Sequence, residues 1–316
     1  MADKKIIAVA GATGAQGGAL VRAILEDPEG GFAARALTRN PDSESAKALA
    51  AQGVEVVAAD IGDLESMERA YAGAYGAYCV TFFWQDMSAD NEMHQAETMA
   101  EAAKRAGLHH VIWSTLDDTR KWIPLDDDRM PTLQDKYKVP HFDAKGASDH
   151  FFTDRGVPTT FLNTSFYWDN FIHFGSGPKR GEDGKLRFVL PMGEKRLPGI
   201  AVEDIGRVAY GIFKRGDEYI GKTVGIAGGM LSGAEMAAAM SKALGEEVVH
   251  LSPSFDEYRG YGFPAADELG NMFQMKHDFE EEYHAQRDIE LARELNPKLQ
   301  SFDNWLAKHA SEIPIE

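Results

Sequence analysis

The sequence predicts an α/β protein: a Rossmann-type, doubly wound parallel sheet with a smaller, mostly helical C-terminal domain. Three observations support this fold class. A short apolar run, residues 5–10, ends in a glycine-rich loop that leads into a helical pattern. Apolar runs and amphipathic stretches then alternate, which is typical of parallel strands covered by helices on both faces. Beyond about residue 228 the pattern is mostly helical.

Short apolar runs predict the strands, and the stretches between them predict the helices. After the first run, the predicted strands are residues 32–38, 54–59, 77–82, 110–114, 159–162 and 222–227. The predicted helices among them are residues 19–25, 43–52, 63–71, 91–105 and 141–155. The second of these helices is expected to start at Ser43, and Asp63 is expected to cap the third. Ser232 and Glu235 have capping-box spacing before a later helix over residues 236–244.

Two segments interrupt the alternation. Residues 116–140 contain three consecutive aspartates and several prolines, which favours a long loop near a site over a regular element. Residues 171–198 are rich in glycine, proline and charge, so we expect an excursion out of the sheet.

Chain length predicts about two domains, at roughly 150 residues per domain. We assign residues 1–165 to the Rossmann domain and expect residues 199–227 to return to it. Residues 166–198 and 228–316 form the smaller substrate or partner domain in this assignment.

Composition excludes several classes of protein. The 33 Lys and Arg against 50 Asp and Glu give a net charge of −17, and no basic cluster offsets it, so no nucleic-acid partner is expected. The single Cys79 excludes an intrachain disulfide framework and a multi-cysteine zinc site. Neither a signal peptide nor an apolar stretch long enough for a membrane span is found. We expect a soluble, cytoplasmic protein.

The loop Gly11-Ala12-Thr13-Gly14-Ala15-Gln16-Gly17 directly follows the first strand and precedes a helix. Gly11 and Gly14 allow a tight turn and the close approach of a pyrophosphate, and Gly17 lets helix and strand pack closely. Backbone N–H groups at a helix start bind phosphate. The loop therefore predicts dinucleotide binding; the alternative is an ordinary βα turn in a domain that binds no nucleotide.

The end of the second strand indicates which dinucleotide is bound. NAD-selective sites place an acid there, whereas this chain has Arg39 and Asn40 and no acid before Asp42. Arg39 is the candidate clamp for the 2′-phosphate of NADP, so NADPH is expected to be preferred over NADH; the alternative is a solvated arginine. Asp60 and Ile61, after the third strand, fit adenine recognition, although a plain strand end is the alternative.

Motifs across nearly the whole chain resemble those of one family. They are Gly11–Gly18, Thr38–Pro41, Val80–Trp84, His141–Gly146 and Arg287–Leu291. The chain resembles the NmrA-like proteins, an atypical branch of the short-chain dehydrogenase/reductase superfamily, and most closely the HSCARG-type NADPH sensors.

This resemblance implies that the cofactor lies over Thr81, Phe82 and Phe83, and that the segment Tyr167-Trp168-Asp169-Asn170 approaches the nicotinamide half. One difference concerns the residues after Pro41. The sensors carry additional basic residues there, whereas this chain has Asp42-Ser43-Glu44, so phosphate binding depends on Arg39 alone.

The catalytic motif of the wider superfamily is Tyr-x-x-x-Lys, in which tyrosine donates a proton and lysine holds the nicotinamide ribose. Here the same spacing gives His141 and Lys145. Lys145 keeps its role, but the hydroxyl acid is missing. His141 is either a proton donor or a packing residue. The catalytic candidates are therefore Lys145, His141 and Tyr167, while Ser114 resembles the carbonyl-orienting serine of the superfamily in position.

Two functions remain open at this stage. One is a redox-sensing regulatory protein that binds NADP(H) and presents a changed surface to a protein partner. The other is an NADPH-dependent oxidoreductase acting on a small carbonyl or quinone ligand, that is, a quinone, aldehyde or enone. No metal cofactor is expected, because the acids between His277 and His284 are typical of a solvated helix face.

Overall fold

The computed structural model describes residues 4–315. Its strands, labelled β1 to β13 in chain order, are Lys5–Val9, Phe32–Thr38, Glu55–Ala58, Gly76–Cys79, His110–Thr115, Thr159–Asn163, Phe166–Tyr167, Lys179–Arg180, Leu186–Val189, Arg196–Ile200, Thr223–Gly225, Gly229–Ser232 and Val248–Leu251. Its helices, labelled α1 to α13, are Ala15–Leu25, Glu44–Ala51, Leu64–Tyr71, Ala89–Ala106, Pro140–Asp154, Asn170–His173, Val202–Lys214, Gly233–Leu244, Phe255–Arg259, Ala266–Asp278, Glu280–Ala285, Ile289–Leu295 and Phe302–His309.

A seven-stranded sheet in the order β11-β6-β5-β4-β1-β2-β3 forms the centre of the fold. Every pairing from β6 to β3 is parallel, with Lys5 opposite Phe32 and Ile7 opposite Gly76. The chain builds outward from β1 to β3 on one side and returns to place β4 on the other side of β1. This reversal of strand order is the position at which doubly wound sheets bind ligands. The predicted fold class is confirmed.

The chain divides into two compact units. The first contains the chain through Asp118 together with His141–Thr164 and Glu203–Val224. The second contains Thr119–Pro140, Ser165–Val202 and the chain from Gly225 onward, so residues 119–140 cluster with the second unit rather than with the first.

In the first unit, apolar side chains of the sheet pack against α3 and α4. The buried core includes Ala8, Trp113, Met67 and Met99. Cys79 is part of this core, with its Sγ 3.2 Å from the hydroxyl of Tyr71. Burial raises the pKa of the Cys79 thiol to about 12. The cysteine is thus a small apolar core residue and not a reactive thiol.

In the second unit, two three-stranded sheets, β12-β10-β7 and β13-β9-β8, accompany the helices from α8 onward. The buried rings of Trp168, Phe302 and Trp305 pack together, with 5.3 Å between the centroids of Trp168 and Phe302. The C-terminal region is helical as predicted, but the sequence analysis did not predict β12 and β13. Both strands have only four residues, too few for a clear alternation of apolar and polar side chains.

Two element boundaries near the glycine loop differ from the predictions. Helix α1 begins at Ala15 rather than Ala19, so Gly17 and Gly18 lie inside it. Strand β4 ends at Cys79, and the predicted strand residues Thr81 and Phe82 have already left the sheet; a short 3₁₀ turn follows over Phe83–Gln85. In both places the backbone conformation follows the packing of the loop and not the local propensity of its residues.

Candidate functional site

The glycine loop has the backbone conformation that its three glycines predict. Gly11 has a φ of +62°, which side chains rarely adopt. Gly14 is the N-cap of α1, and its N–H donates to the carbonyl oxygen of Gly11 at 2.8 Å. A Cβ on Gly17 would lie 2.5 Å from the carbonyl oxygens of Ala10 and Gly11. Only glycine lets α1 start this close to the end of β1, and the resulting cradle of amides fits a pyrophosphate.

Gln16 has a structural role within the first turn of α1. Its side chain is buried, and its Oε1 accepts hydrogen bonds from the Tyr78 hydroxyl and, at 2.8 Å, from the Ser114 hydroxyl. These bonds hold the start of α1 against β4 and β5. Ser114, which resembles the carbonyl-orienting serine of the superfamily in position, thus donates its hydroxyl proton to the loop.

Arg39 lies just beyond β2 and is exposed. Among residues 4–315 it forms no hydrogen bond or ion pair. The neighbouring turn is ordered independently of it: the N–H of Asn40 donates to Thr38 Oγ1 at 3.2 Å, and the N–H of Asp42 donates to Asn40 Oδ1 at 3.1 Å. The guanidinium therefore faces solvent with no carboxylate to neutralise it, as an anion-binding arginine requires.

Asp60 and Ile61 form the turn between β3 and α3. Asp60 is exposed, and its Oδ1 accepts a hydrogen bond from the N–H of Gly62 at 2.9 Å. The side chain of Ile61 is partly buried against the core of the first unit. One carboxylate oxygen of Asp60 thus stabilises the turn.

Thr81, Phe82 and Phe83 follow the end of β4, and their side chains differ in solvent exposure. Phe82 is 56% exposed, whereas Thr81 and Phe83 are buried. An exposed phenylalanine this large has room to pack against a ligand, while Thr81 points its hydroxyl into the protein. That hydroxyl connects two charged side chains.

Lys145, on α5, is buried beside Thr81 and an acid that the sequence analysis missed, Glu92 on α4. The Lys145 Nζ donates to Thr81 Oγ1 at 2.6 Å and lies 3.3 Å from Glu92 Oε1. Thr81 Oγ1 in turn donates to Glu92 Oε1 at 2.6 Å. The ammonium also lies 5.0 Å from the ring centroid of Trp113, within cation–π range.

A pattern in the sequence does reveal Glu92. Its distances along the chain to Ala96, Met99 and Ala103 are four, seven and eleven residues, so it falls on the apolar face of α4. An acid at such a position requires a buried partner, since unpaired buried carboxylates are costly. The partner is Lys145, 53 residues further along the chain.

His141 is surrounded by aromatic rings. It is 7% exposed, and its ring centroid lies 4.9 Å from those of Trp84 and Phe142 and 5.8 Å from that of Phe83. Pro140 provides the first residue of α5, a position that proline favours. His141 and Lys145 thus lie one helical turn apart in the first unit.

The remaining predicted site residues belong to the second unit. Tyr167 is half-buried in β7. Trp168 is fully buried, and a Cβ on Gly199 would lie 2.3 Å from its Nε1. Asp169 Oδ2 accepts a hydrogen bond from the N–H of Val202 at 2.8 Å, and Asn170 begins α6. The approach of these four residues to a nicotinamide stays a prediction.

Residues 4–315 contain neither a metal-ligand cluster nor a membrane-spanning helix. No group of three or more His, Cys, Asp or Glu side chains is arranged to hold a metal ion. No helix in this range is both long and apolar enough to cross a membrane.

Comparison with known proteins gives matches over most of the chain. The profile of the NmrA-like family matches residues 3–306. FrzB of Cladobotryum sp, named an NmrA-like family domain-containing oxidoreductase, is 28% identical over 291 residues, which cover 85% of this chain and 82% of FrzB.

Solved structures share the fold. NmrA, a negative transcriptional regulator solved in complex with NAD and with NADP, is 23% identical, with a TM-score of 0.79 over 97% of this chain and 95% of NmrA. The NADPH complex of the Escherichia coli quinone oxidoreductase QOR2 is 21% identical, with a TM-score of 0.73 over 96% of this chain and 98% of QOR2.

Proposed function

Because this chain belongs to the NmrA-like family, we propose that it binds NADP(H) at the glycine loop and acts as a redox-sensing regulatory protein. The loop amides at the start of α1 hold the pyrophosphate, and Arg39 holds the 2′-phosphate. Lys145 holds the hydroxyls of the nicotinamide ribose. The other contacts in this proposal come from Asn40, Asp60, Ile61, Thr81, Phe82, Phe83, Tyr167, Trp168, Asp169 and Asn170.

Two features of the first unit support binding of NADP(H). The cradle formed by Gly11, Gly14 and Gly17 excludes side chains where a pyrophosphate approaches. No acid among residues 4–315 forms an ion pair with the exposed Arg39, which favours the additional phosphate of NADPH over the plain ribose of NADH.

The observation that carries the regulatory proposal is the environment of His141. The position that holds the proton-donating tyrosine in catalytic relatives holds an imidazole enclosed by Phe83, Trp84 and Phe142. A side chain packed in this way serves as a fixed wall of the site. Dinucleotide binding without a hydroxyl acid at this position suits a protein that reports the NADPH to NADP⁺ ratio to a partner.

A second candidate function is NADPH-dependent reduction of a quinone, aldehyde or enone. It is favoured by Lys145, which this chain retains, and by the names of its relatives: FrzB is called an oxidoreductase and QOR2 an NADPH-dependent quinone oxidoreductase. In this alternative, His141 or Tyr167 donates the proton.

Incubation of the purified protein with NADPH and a panel of quinones, aldehydes and enones tests the proposal. A regulatory protein binds NADPH, but the absorbance of NADPH shows no steady decrease with any compound of the panel. Steady turnover that Lys145→Ala abolishes, at a temperature where this variant remains folded, would overturn the regulatory proposal and support the reductase. Absence of binding to either nicotinamide dinucleotide would contradict both.

A further inference from the structure

We infer that Glu92 is a positioning residue for Lys145: its buried carboxylate, acting directly and through the Thr81 hydroxyl, holds the ammonium in place for the nicotinamide ribose. This inference rests on the proposed binding of NADP(H). It assigns a role to a side chain on α4 that lies outside the glycine loop and outside the His141 and Lys145 motif.

Hydrogen-bond chemistry determines the direction of every bond in the group. An ammonium only donates and a carboxylate only accepts. The Thr81 hydroxyl therefore accepts from Lys145 and gives its own proton to Glu92, with 2.6 Å in both bonds. The carbonyl oxygen of Ser114, 3.4 Å from Lys145 Nζ, provides a third contact. The hydrogen bonds to Thr81 and Ser114 use two of the three N–H groups of the ammonium, so the third is left for a ribose hydroxyl.

Burial makes the pairing of these charges necessary. Glu92 is 1% exposed and Lys145 is 8% exposed. Either charge alone at this depth would be strongly disfavoured, whereas the pair is neutral overall. Glu92 thus offsets the charge of the Lys145 ammonium at a site where a charge-assisted hydrogen bond to a ribose hydroxyl is useful.

The carboxylate also has acceptor capacity that the fold does not use. Its Oε2 is buried and receives no hydrogen bond from any residue between 4 and 315. Purely structural buried acids usually have both oxygens satisfied. One oxygen directed to Thr81 and Lys145, with the other unsatisfied, indicates an acid placed for the ammonium and not for the stability of α4.

Nucleotide titrations of Glu92→Gln test the inference. The probes are NADPH and adenosine 2′,5′-bisphosphate, which keeps the adenosine half and lacks the nicotinamide ribose. We expect about a tenfold loss of NADPH affinity, the value of one hydrogen bond to a charged group, and no change for the bisphosphate. Equal losses for both ligands, or no loss for NADPH, would overturn the positioning role.

Glu97→Gln is the matched control, because it makes the same change on the same helix. Glu97 pairs with Arg155 at 2.7 Å, and its side chain is 48% exposed. This variant should bind both nucleotides like the wild type.

Thr81 provides a second test that keeps both charges. Thr81→Val removes the connecting hydroxyl and should lower the affinity for NADPH but not for the bisphosphate. Thr81→Ser retains the hydroxyl and should bind NADPH like the wild type. If Glu92→Gln does not fold, this pair decides the question, and equal affinities for the two Thr81 variants would reject the inference. Wild-type protein that fails to bind NADPH would instead refute the proposed function itself.

Discussion

Lys138 and Lys145 are both almost fully buried, yet the two units of the molecule accommodate these charges in different ways. In the second unit, Lys138 Nζ donates to the backbone carbonyl oxygens of Asp127 at 2.6 Å and Met130 at 3.1 Å. In the first unit, Lys145 is held by the side chains of Thr81 and Glu92. Carbonyl oxygens come with any sequence, whereas a threonine and a buried glutamate are specific choices. The contrast is between an ammonium that holds two loop carbonyl oxygens and one that contacts a threonine and a glutamate side chain.

The segment around Lys138 is ordered by further contacts within the second unit. Asn271, on α10, donates through Nδ2 to the carbonyl oxygens of Pro131 at 2.9 Å and Lys138 at 2.7 Å. The ring of Trp122 stacks on Phe279 with 6.1 Å between centroids. Residues 119–140 are mostly irregular, as the prolines and aspartates predicted, but the carbonyl oxygens of Pro131 and Lys138 are bonded to α10. Lys138 belongs to this structural network.

The largest expected effect is the loss of the Lys145 ammonium. Lys145→Met leaves the buried Glu92 carboxylate without its counter-charge, so we expect the free energy of unfolding to fall by about 3 kcal/mol. Adding Glu92→Gln should restore about 2 kcal/mol, because the double variant no longer buries an unpaired charge. Urea denaturation of the two variants measures both values. If the second substitution restores nothing, the two side chains are not a coupled pair.

Lys138→Met should destabilise the protein by about 2 kcal/mol, since two buried carbonyl oxygens lose a charged donor. Lys121→Met, at an exposed position in the same segment, is the control and should change stability by less than about 0.5 kcal/mol. The same urea denaturation applies, and a Lys138 variant as stable as this control would remove the contrast between the two lysines.

His110 is a third buried base, and in contrast to the two lysines the protein keeps it neutral. Its Nε2 lies 2.8 Å from Thr160 Oγ1, whose proton goes to the carbonyl oxygen of Tyr219, so the imidazole is the donor. Burial lowers the pKa of His110 from 6.5 to about 4. Protonation of His110 therefore favours the unfolded chain. The contribution of the neutral imidazole to the free energy of unfolding is fully present above pH 6.5, the pKa of the unfolded chain, and is lost as the pH falls from 6.5 towards 4.

We expect His110 to account for about 1.5 kcal/mol of stability lost between pH 7 and pH 5. Denaturation of the wild type and of His110→Gln at both pH values measures the contribution, since the variant carries no titrating group at this position. An identical pH dependence in the two proteins would contradict the assignment.

The smallest expected effect concerns a cation that the protein does not use for its own stability. Arg39→Ala should leave the unfolding free energy within about 0.5 kcal/mol of wild type, because the guanidinium has no partner among residues 4–315. The same variant should weaken NADPH about tenfold more than NADH, as expected for one lost contact to the 2′-phosphate. Fluorescence titrations measure both affinities, with Lys47→Ala on α2 as an exposed control. Equal losses for the two nucleotides would exclude Arg39 as the phosphate clamp.

Signals within a few residues predicted much of the fold. Asp63 Oδ1 accepts from the N–H of Ser66 at 2.7 Å, so the predicted N-cap is confirmed. Ser43, where α2 was predicted to start, is the N-cap of this helix, and its Oγ accepts from the N–H of Ala46 at 3.2 Å. Ser232 and Glu235 form the predicted capping box. These interactions join residues three positions apart, so spacing alone specifies them.

Contacts between distant residues were harder to predict. The site chemistry depends on the pairing of Glu92 with Lys145. The sequence pattern places Glu92 on the apolar face of α4, but only the folded chain shows that its partner is Lys145 on α5. Likewise, Gln16 belongs to the glycine loop, but its side chain is bound to residues of β4 and β5. Glu92 and Lys145 are 53 residues apart, and Gln16 is 62 residues from Tyr78 and 98 residues from Ser114.

By itself, the sequence determined the doubly wound sheet, the position of the glycine loop, the family, and the absence of a tyrosine four residues before Lys145. Local spacing and composition carry that information, because hydrophobic periodicity and caps act over a few residues. The tertiary structure alone decided that His141 is enclosed by aromatic rings, that Lys138 is tied to backbone carbonyls, and that Glu92 neutralises Lys145. Buried charges must be paired wherever the chain places them, and only the folded protein brings these partners together.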